Sequence, residues 1–150
     1  MKRIKKLFIL LFVLLPVGCT SNENTATYDS FEETLIEENH EYSEVSDYKL
    51  VWESMFDVNL NEYYVYIYST SCAHCSSIKN YVITKALEKG NIFFIKGTNK
   101  DQITNDSKNI KFAENPEDIW ILGYPSLLFI KSGKCTKNLA GVDQIKLELK

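Results

Sequence analysis

Residues 63–68, Tyr-Tyr-Val-Tyr-Ile-Tyr, are aromatic or β-branched at every position rather than at every second one, which predicts a central strand covered on both faces. Further along, Ile78, Val82, Ile83, Ala86 and Leu87 recur at three- and four-residue intervals up to Lys89-Gly90, predicting a helix with a glycine stop. Residues 91–96, Asn-Ile-Phe-Phe-Ile-Lys, read as a second buried strand. With the helix as crossover the two strands are parallel, and the unit is βαβ. Val51, Met55 and Val58 predict an amphipathic helix over 51–58, broken by Asn59-Leu60-Asn61. Residues 97–111 are polar and longer than a usual connection, and read as a loop or a surface helix. A short helix is expected around Asn115-Pro116-Glu117-Asp118, with proline early and acids in the first turn. The apolar run 127–130 and the segment 135–140 flank Lys131-Ser132-Gly133-Lys134 as a hairpin, and a last helix covers 142–150.

The N-terminus has a different pattern. Lys2, Arg3, Lys5 and Lys6 precede an unbroken apolar run over 7–15, too short to span a bilayer comfortably, which takes about 20 apolar residues. It reads as an export signal. The segment Leu15-Pro16-Val17-Gly18-Cys19 resembles a bacterial lipoprotein signal, with Pro16 at the place where leucine is usual. The resemblance implies a signal peptide over 1–18, cleavage before Cys19 and lipid attachment to its sulfur; a non-lipidated secretory signal or an uncleaved anchor are the other readings. Residues 21–47 then carry nine Asp or Glu and no Lys or Arg. This predicts a solvated tether over 19–46, within which residues 31–36 allow a short helix and His40 is expected to be exposed. Removing the four basic residues of the signal carries the net charge from −3 to −7, which suggests no nucleic-acid partner. The remainder, 47–150, suffices for one small domain with one core.

Two thiols separated by two residues, Cys72-Ala73-His74-Cys75, follow the first strand and precede the helix, a layout suited to reversible thiol–disulfide exchange. The order strand, Cys-x-x-Cys, helix, strand, helix, Gly123-Tyr124-Pro125-Ser126, hairpin and helix resembles the thioredoxin family over residues 48–150. Four features carry the resemblance: the cysteine pair, Ile121–Ile130 with its Gly-Tyr-Pro, the 131–134 turn, and Gly141 before the final helix. It implies an α/β fold with a central mixed β-sheet flanked by helices, and a thiol–disulfide oxidoreductase without cofactors or metal. In that reading Cys72, at a helix N-terminus near unpaired N–H groups, is the nucleophile, and the deeper Cys75 is the resolving thiol.

The resemblance assigns further roles. His74 tunes the couple toward oxidation by favouring the thiolate, or else is an exposed histidine of little effect. Pro125 is the cis-proline that the family places opposite the cysteines, where an ordinary loop proline is the other reading. The Tyr124 backbone pairs in β fashion with a client peptide, or Tyr124 is a rim aromatic. The implied partners are thiols or disulfides of exported proteins and a membrane redox partner, with the membrane reached through the lipid anchor and the protein itself a monomer. Reduction and oxidation of clients both fit. Three places depart from thioredoxin. Ser71 stands for its tryptophan and Asn80 for its kinking proline, while Tyr66 stands for its buried carboxylate, leaving Glu53 or Glu62 as substitutes. Cys135 reads as a small buried residue or as a site of intermolecular or regulatory disulfide formation. Two other functions fit the same motif: a soft-metal-binding lipoprotein using Cys72, His74 and Cys75, and a redox-inactive binding module on a thioredoxin-like scaffold.

Overall fold

The computed structural model describes residues 39–98, 102–104, 106 and 112–150. The signal segment, Cys19, the helix allowed at 31–36 and most of the polar stretch 97–111 lie outside the described residues. In chain order the strands are β1 (Lys49–Leu50), β2 (Glu62–Tyr68), β3 (Ile92–Lys96), β4 (Ser126–Lys131) and β5 (Lys134–Ala140). Helix α1 (Ala73–Lys89) joins β2 to β3, and α2 (Val142–Glu148) follows β5. The sheet order is β1-β3-β2-β4-β5, with β1 and β2 parallel to β3 and β4 antiparallel to both β2 and β5.

The expected βαβ unit is therefore present, with Tyr66 opposite Phe94 on one side and Leu127 on the other. Gly90 stops α1 in the left-handed conformation, φ 66°, where glycine carries no Cβ penalty. Ser132 and Gly133, both at positive φ, make the tight turn of the β4–β5 hairpin. The expected mixed sheet of the α/β class is the one observed.

The period-two geometry of β2 divides the core. Tyr66 and Tyr68 face α1 and α2 with Ile78, Val82, Ile83, Phe94 and Ile145. Tyr63, Val65 and Ile67 face the other way, onto Met55, Ile119, Ile121, Leu128, Ile130 and Cys135. Each fully buried large apolar side chain contributes about 1.5–3 kcal/mol. Among the described residues both α-helices lie on the first face; single 3₁₀ turns at Trp52–Ser54 and Pro116–Asp118 help cover the second.

Several expectations are corrected. The helix expected over 51–58 is only the Trp52–Ser54 turn, because the segment is too short to sustain a helix and its polar groups bond elsewhere. Ser54 Oγ donates to the Val51 carbonyl, Trp52 Nε1 to that of Pro116, and Tyr63 Oη to that of Met55. The short helix at Pro116–Asp118 is likewise one turn. Strand β1, two residues long, leaves no periodicity to read.

The folded part also begins before residue 47. Tyr42 stacks on Tyr68 with ring centroids 3.8 Å apart, and Val45 is fully buried in the core beside α1. His40, expected exposed, is 8% accessible; its N–H donates to Asn80 Oδ1 at 3.2 Å and its ring bonds Glu44 at 2.8 Å. Lys79 on α1 meets Glu41 at 2.7 Å. The acidic average over this stretch conceals one apolar pair, Tyr42 and Val45, at i,i+3 spacing, and that pair docks it on α1.

Candidate functional site

The end of β2 delivers the chain to Ser69 and Thr70, and a turn closed by Cys72 N–H donating to the Ser69 carbonyl brings Cys72 to the N-cap of α1. With φ −94° and ψ 116° it has the extended backbone of a cap residue, and its sulfur does what a capping oxygen does elsewhere: Sγ accepts the Cys75 N–H at 3.1 Å. The Cys72 sulfur is thus held among the N–H groups that the helix leaves unpaired. Across from it, Cys72 Sγ donates to the Tyr124 carbonyl at 3.5 Å. Cys72 is half-buried, whereas Cys75, one turn deeper, is 1% accessible. Burial, reinforced by the hydrogen bond with Cys72, pushes the Cys75 thiol well above its ordinary value. Both cysteines are free thiols.

The loop facing them is fixed from several sides. The Tyr124–Pro125 peptide bond is cis, and Pro125 is buried with its carbonyl accepting the Gly141 N–H at 3.0 Å. Ser126 Oγ donates to the Gly123 carbonyl at 2.7 Å, and Tyr124 Oη to that of Thr98 at 3.2 Å. Gly97 lies directly under the Tyr124 ring, so that any Cβ there would collide with it. That close approach anchors the loop to the end of β3.

Of the residues singled out from sequence, the structure brings together Cys72, Cys75, Tyr124 and Pro125. His74 sits in the first turn of α1 with an exposed side chain, its carbonyl accepting Ser77 Oγ at 2.9 Å. Cys135 is fully buried on the opposite face of the sheet, its thiol donating to the Lys137 carbonyl at 3.3 Å and pushed up to about 12 by burial. It packs as the small buried residue of the first expectation. Glu62 pairs with Lys131 at the far end of β2, roughly 20 Å along the strand from Tyr68. Glu53 lines a cavity of about 380 Å³ with Leu50, Trp52, Ile95, Lys96 and Thr98. Among the described residues, no cluster of three or more His, Cys, Asp or Glu side chains is placed to hold a metal ion.

Sequence reasoning missed Gly97, which carries no signal of its own, and Tyr42, whose signal was an aromatic residue in a polar tract. It also took Tyr66 only as the loss of a carboxylate. Tyr66 is fully buried in the same core cluster as Cys75, and its hydroxyl interacts with that of Tyr42, whose ring packs against the cluster.

No family model matches the chain, and neither does any curated protein. Solved structures similar to it include mitochondrial thioredoxin 3 from Saccharomyces cerevisiae, 16% identical, covering 71% of this chain and 93% of that one with a TM-score of 0.46. Thioredoxin f2 from Chlamydomonas reinhardtii is 15% identical over 67% of this chain and 88% of its own, TM-score 0.41. Fasciola hepatica thioredoxin is 22% identical over 59% and 75%, TM-score 0.37.

Proposed function

We propose that this chain is a membrane-tethered, extracytoplasmic thiol–disulfide oxidoreductase. The observation that carries the reading is the asymmetric cysteine pair: Cys72 half-exposed at the N-cap of α1, with its sulfur accepting the Cys75 N–H at 3.1 Å, and Cys75 buried one turn below. An exchange enzyme needs one sulfur that a client can reach and a second, shielded from solvent, that reaches only the first. In the reducing direction the Cys72 thiolate attacks a client disulfide, forming a mixed disulfide and releasing one client thiol. Cys75 then attacks Cys72 Sγ, giving the Cys72–Cys75 disulfide and the second client thiol. Oxidation of a client is the same sequence reversed.

The Tyr124 carbonyl, 3.5 Å from Cys72 Sγ, lies where an extended client backbone could pair alongside the cysteine, with Pro125 holding the loop in place. His74 lies two residues after Cys72 in the first turn with an exposed side chain, and the tuning of the couple is assigned to it from that position in the motif. Tethering rests on the sequence: the basic and apolar leader, Cys19 as lipidation site, and the acidic stretch as spacer. Among the described residues no helix is long and apolar enough to cross a membrane. Clients are exported proteins carrying thiols or disulfides, and a membrane redox partner recycles the pair.

The test is turnover of a model disulfide substrate by the chain and by Cys72→Ser and Cys75→Ser. Loss of turnover in both, with a client adduct retained only on Cys72 of Cys75→Ser, supports the reading. Turnover that survives Cys72→Ser overturns it. For the tether, Cys19→Ser should release the protein from the membrane fraction.

A further inference from the structure

For a client to pair at the Tyr124 carbonyl, that carbonyl must stand at a fixed distance from Cys72, because a misplacement of about 1 Å can cost about a hundredfold in rate. The two residues lie 52 places apart in sequence, Cys72 after β2 and Tyr124 before β4. The pairing of β2 with β4 runs only as far as Ile67 and Ser126, short of both. The ladder of the sheet therefore does not by itself set the distance between them.

A chain of contacts through the end of β3 closes the gap. The Gly97 N–H donates to the Tyr68 carbonyl at 2.7 Å, which ties Gly97 to the last residue of β2, the strand that delivers Cys72. The Tyr124 ring lies across Gly97, and its hydroxyl donates to the Thr98 carbonyl at 3.2 Å. From the main chain of the same tyrosine, the carbonyl accepts the Cys72 thiol at 3.5 Å. The frame runs from β2 to Gly97, across the tyrosine ring and back to the cysteine. A Cβ on residue 97 would meet the Oη, Cζ and Cε1 atoms of Tyr124 far inside van der Waals contact. Gly97 is not among the glycines at positive φ, so its backbone would accept alanine, and the ring is what excludes it.

We propose that Gly97 is a positioning residue for client binding: by leaving room for the Tyr124 ring, it sets where the Tyr124 main chain stands beside Cys72. The proposal rests on the oxidoreductase reading and deepens it. With the ring folded onto Gly97 and its hydroxyl bound to Thr98, residue 124 offers a client its peptide group, while its side chain works inward to hold the loop. The ligand is then an extended segment whose backbone, beside its reacting sulfur, pairs with the Tyr124 peptide as an added strand. A small alkylating agent has no such backbone and makes no use of the frame. Alanine at residue 97 lifts the ring off the end of β3 and carries the loop with it. Pairing is lost, and neither sulfur is touched.

The test is single-turnover stopped flow of the reduced full chain, in detergent, with an unstructured peptide whose one cysteine forms a mixed disulfide with a chromophoric thiol. The limiting rate of chromophore release reports attack by Cys72, and the half-saturating peptide concentration reports pairing. In Gly97→Ala the half-saturating concentration should rise roughly tenfold, as loss of a pair of main-chain hydrogen bonds predicts, with the limiting rate kept within about twofold. Alkylation of Cys72 by iodoacetamide should not slow, and Cys75 should stay protected, whereas a general loss of structure would open Cys75 to the reagent. Leucine at residue 124 lacks all three atoms that the Cβ would meet, so adding Gly97→Ala to Tyr124→Leu should change nothing further. Should Gly97→Ala alone fold poorly, this pair of variants carries the test. A wild-type half-saturating concentration in folded Gly97→Ala, or a further rise when it is added to Tyr124→Leu, overturns the proposal alone. So does a wild-type rate that never saturates with peptide. A wild-type chain that releases no chromophore through Cys72 overturns the oxidoreductase reading with it.

Discussion

The two faces of the sheet each bury a cysteine, and the contrast between them separates burial from reactivity. Cys75 and Cys135 are 1% and 0% accessible, and burial raises both thiols well above their ordinary range. Cys135 stands in an apolar cluster with Met55, Ile130 and Ile121, donating to a strand carbonyl. Cys75 stands one helical turn behind a second, reachable sulfur, which accepts its backbone N–H. What makes one of them part of a site is the neighbouring chemistry, since depth and thiol basicity are alike.

The sharpest way to break this contrast is to exchange the consequences. Cys72→Ser is expected to lower disulfide exchange by about a thousandfold or more, as loss of a covalent nucleophile does. Cys135→Ala should leave the exchange rate within about twofold while lowering stability by about 1–2 kcal/mol, measured by denaturant midpoint. A Cys135→Ala variant that loses exchange would make the two faces chemically equivalent. Next in size, Tyr42→Ala should cost about 2–3 kcal/mol through loss of its stack on Tyr68, a far larger effect than any exposed residue of the segment preceding β1 can have.

A smaller and more diagnostic effect concerns pH. A buried thiol whose native value is raised from 9.0 to about 12 holds its proton longer than the unfolded chain does. Its stabilising contribution is complete below about pH 9 and is lost as pH rises toward 12. Stability of the reduced protein should therefore fall across that window, and Cys135→Ala should fall less steeply than wild type. Equal slopes for the two would remove Cys135 from the account. Smallest of all, Glu41→Gln should cost less than about 1 kcal/mol, because its pair with Lys79 is open to solvent on the glutamate side.

Much of the architecture was legible because strong periodicity and burial coincide. β2, α1, β3 and the β4–β5 hairpin sit where the patterns of Tyr63–Tyr68, Ile78–Leu87, Ile92–Ile95 and Leu127–Ala140 place them. The second face was misread because its cover comes from single turns and irregular chain. Val51, Met55 and Val58 mimic helical spacing, yet Val51 is 63% exposed and only Met55 is fully buried. The segment before residue 47 was misread because the nine acids of residues 21–47 dominate its average, although Tyr42 and Val45 decide where its last part goes. At the site, the cysteines and the Gly-Tyr-Pro segment announced themselves by residue type. Gly97 and the docking of Tyr42 did not, since they arise from juxtapositions of residues 27 and 26 places apart, between Gly97 and Tyr124 and between Tyr42 and Tyr68.

The central claim is that Cys72 and Cys75 form a reversible two-electron couple from which Cys135 is excluded. Equilibrating the chain with glutathione redox buffers and alkylating the remaining thiols, with peptide mass to identify each cysteine, tests it directly. The account predicts one cooperative transition in which Cys72 and Cys75 are protected together and Cys135 stays reduced throughout, with a midpoint between about −270 and −120 mV. Independent titration of Cys72 and Cys75, or a disulfide that includes Cys135, would contradict it.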